Sequence, residues 1–489
     1  MNRPLPSRAW CCSLLAVSVA ALAACATAPP RDATPPLPSS FTTHGANVTA
    51  TAPVPAFWES FNDPALAPLV RAAWQNNQDL AATLARLRES RGLRNEQRYD
   101  FAPTGRASAG RSDQQTALVD APTLSASARE RTVWQAGFDA RWELDLFGRL
   151  RGTAHARSAD LRGVGADLDA LHVAVAAEVA RTWFDWRGTL QRLEVAKHNA
   201  ALQADTLKLV EERLASGRGS GLDVARARAQ WSTTRASVPL LELQARRAQL
   251  RLAVLLGESS DSPTLAALPA TSLLVGQLAT PPTLIATGDP TSWLRRRPDI
   301  RAAEARLEAA AHRQGVAVAD LFPVVSFGGV FAWRAGTRDG LGDAASDSYQ
   351  WGPSLTWPAL DLPRLLTRLG QSRARAAGAL AAYRQTVLLA LEETEGALTA
   401  FDRLGVRQQD LDDAAAASAE ATRLAQLRFS EGYSDFLGVL EAQRTQLEAE
   451  DRATLGRIEA LGAAVASYKA LGAGWEVAAT APYAPAVKP

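Results

Sequence analysis

Trp134-Gln135-Ala136-Gly137-Phe138-Asp139-Ala140-Arg141-Trp142-Glu143 is the stretch on which the reading of this 489-residue chain turns. Trp134, Ala136, Phe138, Ala140 and Trp142 alternate with polar residues or glycine. That period of two marks a strand with one apolar and one polar face, closed by tryptophan at both ends. The preceding segment, Pro103 to Ser112, alternates more weakly, with Gly105, Ala107 and Ala109 against Thr104, Arg106 and Ser108. A polar loop from Asp113 to Arg131 joins the two. Membrane strands with interfacial aromatic girdles look like this. Half-buried soluble hairpins give the same alternation, so the choice falls to the rest of the chain.

The chain repeats the pattern. Val325, Phe327, Gly329, Phe331 and Trp333 alternate with smaller partners, and after a Gly/Asp/Ser-rich stretch so do Trp351, Pro353, Leu355 and Trp357. The surroundings repeat too. Asp79-Leu80, Ala85-Arg86-Leu87 and Phe101-Ala102-Pro103 recur as Asp299-Ile300, Ala305-Arg306-Leu307 and Leu321-Phe322-Pro323, 299 − 79 = 220 residues later. Arg213, Gly217, Leu222 and Val224 recur as Arg428, Gly432, Leu437 and Val439, 428 − 213 = 215 residues later. A repeat this long is a duplicated domain-sized unit.

After each hairpin the period becomes helical. Leu161, Val164, Leu168, Leu171, Val175, Val179, Trp183 and Trp186 step by threes and fours, as do Leu380, Tyr383, Val387, Leu391, Thr394, Leu398 and Phe401. No proline interrupts Leu150 to Leu214 or Leu365 to Phe429. Helices that long reach roughly 100 Å at 1.5 Å per residue. Each ends at a glycine-bearing turn, and a second helix returns; Pro239 is expected to kink or break the first returning helix.

The beginning of the chain reads as an export signal. Arg3 and Arg8 precede an apolar run ending in Leu22-Ala23-Ala24-Cys25, which resembles a bacterial lipobox, and Ala26 in place of aspartate resembles outer-membrane sorting. Export and lipidation decide for membrane strands. With Cys11 and Cys12 removed, Cys25 is the one remaining thiol, which excludes an internal disulfide and a cysteine-based catalytic or metal site. Removing Arg3 and Arg8 leaves 53 − 2 = 51 basic residues against 51 acidic ones, a balance that argues against nucleic-acid binding. The five histidines are scattered without ligand spacing and no phosphate loop occurs, so no metal site, cofactor or enzymatic activity is expected beyond a lipid on Cys25.

The organisation expected is a cleaved lipoprotein signal over 1–24, an acylated tether over 25–56, a first repeat over 57–257, a linker over 258–291, a second repeat over 292–473 and a tail over 474–489. The first repeat carries strands near 102–112 and 132–144, a long helix 150–215, a turn 216–221 and a return helix 222–257. The second carries a helix 299–320, strands near 323–334 and 349–358, a long helix 365–430, a turn 431–435 and a return helix 436–472. Four membrane strands cannot close a barrel, and an open edge in hydrocarbon leaves unpaired backbone groups at several kcal/mol each. Known bacterial barrels begin at about eight strands, so closure needs further chains. The narrow apolar stripes of the helices likewise need lateral neighbours.

These residues resemble the outer-membrane factors of tripartite efflux systems, the TolC/OprM-like family, and within it the NodT-type lipoproteins. Trp142-Glu143-Leu144-Asp145-Leu146-Phe147-Gly148-Arg149, Arg296-Arg297-Pro298-Asp299-Ile300-Arg301-Ala302-Ala303-Glu304, the two glycine turns and Leu321-Phe322-Pro323 carry the resemblance from about Phe57 to Trp475. It implies a mainly α chain with a transmembrane β-barrel, trimeric, with a 12-stranded β-barrel stacked on a 12-helix α-barrel. It implies a passive duct across the outer membrane and periplasm, of the efflux or type I-like export kind, receiving substrate from an inner-membrane pump (most naturally a resistance-nodulation-division pump) through a periplasmic adaptor. A lipid-anchored periplasmic coiled-coil scaffold without a pore is the alternative.

The resemblance also marks residues. Gly217 and Gly432 match the tip glycines at which adaptor hairpins dock, while a glycine there also permits the positive φ of a helix-ending turn. Where the family often reads Leu-Asp-Val-Leu-Asp-Ala at the closed periplasmic end, this chain has Leu437-Gly438-Val439-Leu440-Glu441-Ala442. Asp223, Asp435 and Glu441 are therefore the gate candidates, with a solvated helix face as the plainer reading. Trp134, Trp142, Trp333, Trp351 and Trp357 are read as interfacial anchors, with core packing as the rival. Arg295-Arg296-Arg297-Pro298-Asp299 is read as structural, a helix start whose arginines pair with nearby acids.

Overall fold

The computed structural model describes residues 34–36, 38, 40–41, 48–49, 51, 54–268, 278–431, 433 and 435–476. The signal segment, the lipobox with Cys25, and Gly432 lie outside the described residues. In chain order the principal elements are β1 (Val48–Thr49), α1 (Leu66–Asn76), α2 (Gln78–Tyr99), β2 (Thr104–Gln115), β3 (Glu130–Leu144), α3 (Arg149–Ala215) and α4 (Gly221–Leu255). They continue with β4 (Ile285–Ala286), α5 (Pro298–Ala319), β5 (Val324–Ala335), β6 (Asp347–Thr356), α6 (Leu362–Ser430) and α7 (Phe436–Ala470). Residues group into two compact units that cut across the sequence repeats: one drawn from Leu87–Val164 and Ala303–Arg384, the other from Thr34–Arg86, Gly165–Ala302 and Gln385 onward.

The first unit holds an antiparallel sheet of order β2-β3-β5-β6. The central pairing, β3 with β5, joins the two repeats, Phe138 standing opposite Phe331 and Ala140 opposite Gly329. That pairing is why neither repeat is a unit by itself. The strand-to-helix joint explains the motif at 142–149. Glu143 takes both Nε and Nη2 of Arg149, at 2.9 and 2.6 Å, and the Asp145 carboxylate accepts the backbone N–H groups of Leu150 and Arg151 at the start of α3. An N-terminal carboxylate satisfies two donors that a helix leaves open and meets the positive end of its dipole. Phe147 stacks on Phe322 at 4.9 Å, and Arg162–Glu308 and Arg313–Asp160 ion pairs join α3 to α5.

The second unit is helical around an aromatic core. Phe57 stacks on Tyr468 at 5.4 Å, Phe61 meets Phe184 at 5.0 Å, and the fully buried Trp183 donates its indole N–H to Asp63 at 2.7 Å. Trp183, Trp186, Leu398 and Phe401 are all buried, so the register shared by the two long helices turns equivalent positions inward in both repeats. Pro239 neither breaks α4 nor ends it. Leu241, two residues beyond, is buried with Leu193 and Ala196, and that packing carries the helix past the one hydrogen bond that proline removes.

Both repeats end their returning helices in the same clasp. Gly257 and Gly472, at φ +70° and +67°, close α4 and α7 in the left-handed conformation. The last carbonyl of α4, on Leu255, accepts from the Asn77 amide at 3.0 Å; the last carbonyl of α7, on Ala470, accepts from Arg297 Nη1 at 2.7 Å. Asn77 and Arg297 stand at equivalent places in the repeats. The stretch read as a tether contributes too: β1 pairs in parallel with β4, and Phe41 is buried edge-on to Trp293 at 6.0 Å. These contacts involve isolated short segments without periodicity, so the sequence carried no signal for them.

Candidate functional site

Opposed residues of an antiparallel sheet share a face, so the register sorts every strand side chain. One face carries the row Ala107–Phe138–Phe331–Tyr349, then Gly105–Ala140–Gly329–Trp351, then Trp142–Phe327–Pro353. The small residues Gly105, Ala140 and Gly329 between two aromatic rows leave an apolar cleft of about 470 Å³, lined by Phe138, Ala140, Trp142, Phe327, Gly329 and Trp351 among others. The opposite face carries Arg106, Ser108, Gln135, Asp139, Arg141, Arg334, Gln350 and Ser354. Among the described residues no strand pairs with the outer edge of β2 or of β6.

The five tryptophans lie on or beside the apolar face, with unequal roles. Trp142 and Trp357 donate their indole N–H groups to the carbonyls of Phe101 and Leu321, at 2.9 and 3.1 Å. These are equivalent bonds in the two repeats, tying the end of each hairpin to the helix before it. Trp351 is 70% exposed, Trp134 lies beneath the Arg111 guanidinium at 5.7 Å, and Trp333 packs edge-on against Phe331 at 4.7 Å.

At the far end of α3 the chain reverses through Ser216–Ser220. Gly217 has φ +71°, and the Arg218 N–H returns to the Arg213 carbonyl at 2.9 Å. A Cβ at Gly217 would meet nothing within 4 Å, so the turn faces open space. Behind it Leu207, Val210 and Ala227 pack with Phe429, Phe436 and Val439, joining the turn of one repeat to that of the other. Arg213 stacks over the Phe429 ring at 4.0 Å and donates to its carbonyl at 3.2 Å.

The acidic candidates are placed separately. Asp435 caps α7, its carboxylate accepting the Gly438 N–H at 3.3 Å. Asp223 is half-buried in the first turn of α4, which Ser220 caps, and Glu441 is exposed on α7. Gly438 occupies the place in α7 that Asp223 holds in α4, and the space around it is open apart from Asp435. Among the described residues no hydrogen bond or ion pair joins these three acids to one another.

Arg297 is the residue whose importance the sequence understated. All five of its N–H donors are engaged: by Asp299 through Nε and Nη2, by Glu393 through Nη2, and by the Ala470 and Ala390 carbonyls through Nη1. Burial raises the Asp299 and Glu393 carboxyls, but hydrogen bonds and charge from Arg297, joined at Glu393 by Lys469 at 3.0 Å, outweigh it and hold both below the usual carboxylate range. No group of three or more metal-ligating side chains occurs among the described residues.

A two-faced strand sheet with open edges, in a chain whose first pair of long helices meets at an exposed glycine turn, fits the class of outer-membrane channel proteins. The chain matches the family model for outer membrane efflux proteins over residues 69–258 and 290–473, and it belongs to that family. It is 32% identical to the pyoverdine export outer membrane protein OpmQ of Pseudomonas putida, over 95% of this chain and 97% of that protein. It is 30% identical to the toluene efflux pump outer membrane protein TtgI of Pseudomonas putida, over 87% of this chain and 88% of that one. The solved outer-membrane channel OprN superposes with a TM-score of 0.83 at 36% identity, covering 92% of this chain and all of that one.

Proposed function

We propose that three copies of this chain form one duct, with three four-stranded sheets closing a 12-stranded barrel in the outer membrane, stacked on a 12-helix barrel across the periplasm. The observation that carries this is the sheet itself: four strands, faces sorted by polarity, and both edges unpaired among the described residues. In hydrocarbon those edges must find partners, and identical neighbours supply them, β6 of one copy against β2 of the next. Exposed apolar side chains at Leu240, Leu243, Leu250 and Val254 on α4, and at Leu388 and Leu389 on α6, give the helices lateral stripes for the same neighbours.

The duct is passive and non-enzymatic, as expected of a relative of channels and efflux proteins. Its partners are a periplasmic adaptor and an inner-membrane pump, most naturally of the resistance-nodulation-division type; these choose the cargo. Cys25 carries the lipid anchor, the turns at Gly217 and Gly432 receive the adaptor, and Asp223, Asp435 and Glu441 contribute to the periplasmic gate. Trp134, Trp333 and Trp351 sit at the membrane interface, with Trp142 and Trp357 both anchoring there and bracing the hairpins. The named relatives leave a pore-free scaffold without support.

Gly217→Arg tests the docking role. The open space at the turn admits the side chain, and the positive φ costs about 1 kcal/mol. Heat-modifiable trimers should still reach outer-membrane fractions and conduct ions in planar bilayers, while export by the assembled pump is lost. Normal export by this variant removes the docking role; absence of trimers and of conductance in the unaltered protein removes the duct.

A further inference from the structure

On the polar face of the sheet the charged residues are predominantly of one sign. Arg106, Arg131, Arg141 and Arg334 all stand there, exposed, at positions opposite Asp139, Gln114, Thr104 and Gln135. Projected onto β3 they fall at the levels of residues 141, 139, 135 and 131. Ten residues of strand rise about 33 Å, so the arginines are spread along the full height of the sheet rather than gathered at one rim. The same face carries two acids. Glu143 is held bidentately by Arg149 and is already neutralised, leaving Asp139 alone. The balance is four positive charges less one negative, or three per chain.

We propose that this face gives the duct a preference for anions, so that compounds bearing carboxylate, phosphate or similar groups pass more readily than cations of the same size. The inference rests on the duct reading, which turns the polar face toward the lumen; threefold repetition then places an arginine ring at each of four levels. Rings of charged side chains in a narrow aqueous pore select by sign. Guanidinium groups stay charged at every physiological pH and match planar oxyanions with paired N–H donors. A permeating anion is thus handed from level to level along the barrel, and among the described residues of this face Asp139 is the one acid outside an ion pair.

The test is the chloride-to-potassium permeability ratio of the full-length trimer in planar bilayers of neutral lipid, read from the reversal potential in a potassium chloride gradient. Arg106→Gln with Arg141→Gln is expected to lower the ratio several-fold, Arg334→Gln alone to lower it less, and Asp139→Asn to raise it. Arg111→Gln is the control: Arg111 lies on the apolar face, paired with Asp113 at 2.9 Å, and its loss should leave the ratio unchanged. Conducting trimers whose ratio ignores the four lumen-face substitutions overturn the inference and leave the duct standing. A protein that never conducts overturns both.

Discussion

Replacing Arg297 with methionine removes five donors and one charge while keeping much of the side-chain volume. Arg297 is 8% exposed, but its partners Asp299 and Glu393 are 41% and 38% exposed, so both carboxylates regain water when the guanidinium goes. The Ala470 carbonyl is not orphaned either, because Trp293 Nε1 and Thr394 Oγ1 each reach it at 3.2 Å. Breaking a buried ion pair from one side costs about 3–5 kcal/mol; with these partners half-open to solvent the expected loss sits at the lower end, about 3 kcal/mol. Lysine at the same position keeps the charge but not the fork, and should recover roughly half. Asn77→Ala, the equivalent change in the first repeat, loses an uncharged cap and should cost about 1–2 kcal/mol. Denaturant melts of the purified protein, followed by helical circular dichroism, give all three values.

The same network has a pH signature. Asp299 and Glu393 are held below their ordinary values in the fold, so their contribution is complete above about pH 5 and is lost as pH falls through the depressed values. Arg297→Met should flatten that acid-side loss. A methionine variant no less stable than Asn77→Ala, with an unchanged acid limb, would refute the clasp as the stabilising element at the end of α7.

Gly188 on α3 faces the Ile458 side chain of α7 so closely that an added Cβ overlaps it. Gly188→Ala should destabilise by about 1–3 kcal/mol, and adding Ile458→Ala should restore most of that loss in the same melt. Asp435 separates capping from charge: Asp435→Ala should cost about 1 kcal/mol and speed amide exchange in the first turn of α7, whereas Asp435→Asn keeps the cap. A change in conductance with Asp435→Asn at unaltered stability would tie its charge to the gate.

Much of the architecture was legible because it is written in periodicity. Alternation at Trp134–Trp142 and its echo at Trp351–Trp357 marked the strands, and the three-four spacing through Trp183 and Trp186 marked the long helices. Proline and glycine were less reliable guides: Pro239 stands inside an unbroken helix because neighbouring packing outweighs one missing bond. The turn glycine was readable as a turn, but its outward-facing open space was not. Of the acidic candidates, the local motif suggested charge lining a gate, and only the backbone around α7 disclosed that Asp435 is also a helix cap.

Taken alone, the amino-acid order determined the duplication, the type and length of the elements, and the two faces of each strand, since these depend on residues a few positions apart. Which strands pair, that β3 meets β5 across the repeats, that Asn77 and Arg297 grip the ends of α4 and α7, and that four arginines line one face at successive levels were decided by tertiary structure. Such contacts join residues far apart in the chain, and no local pattern records the register in which they meet.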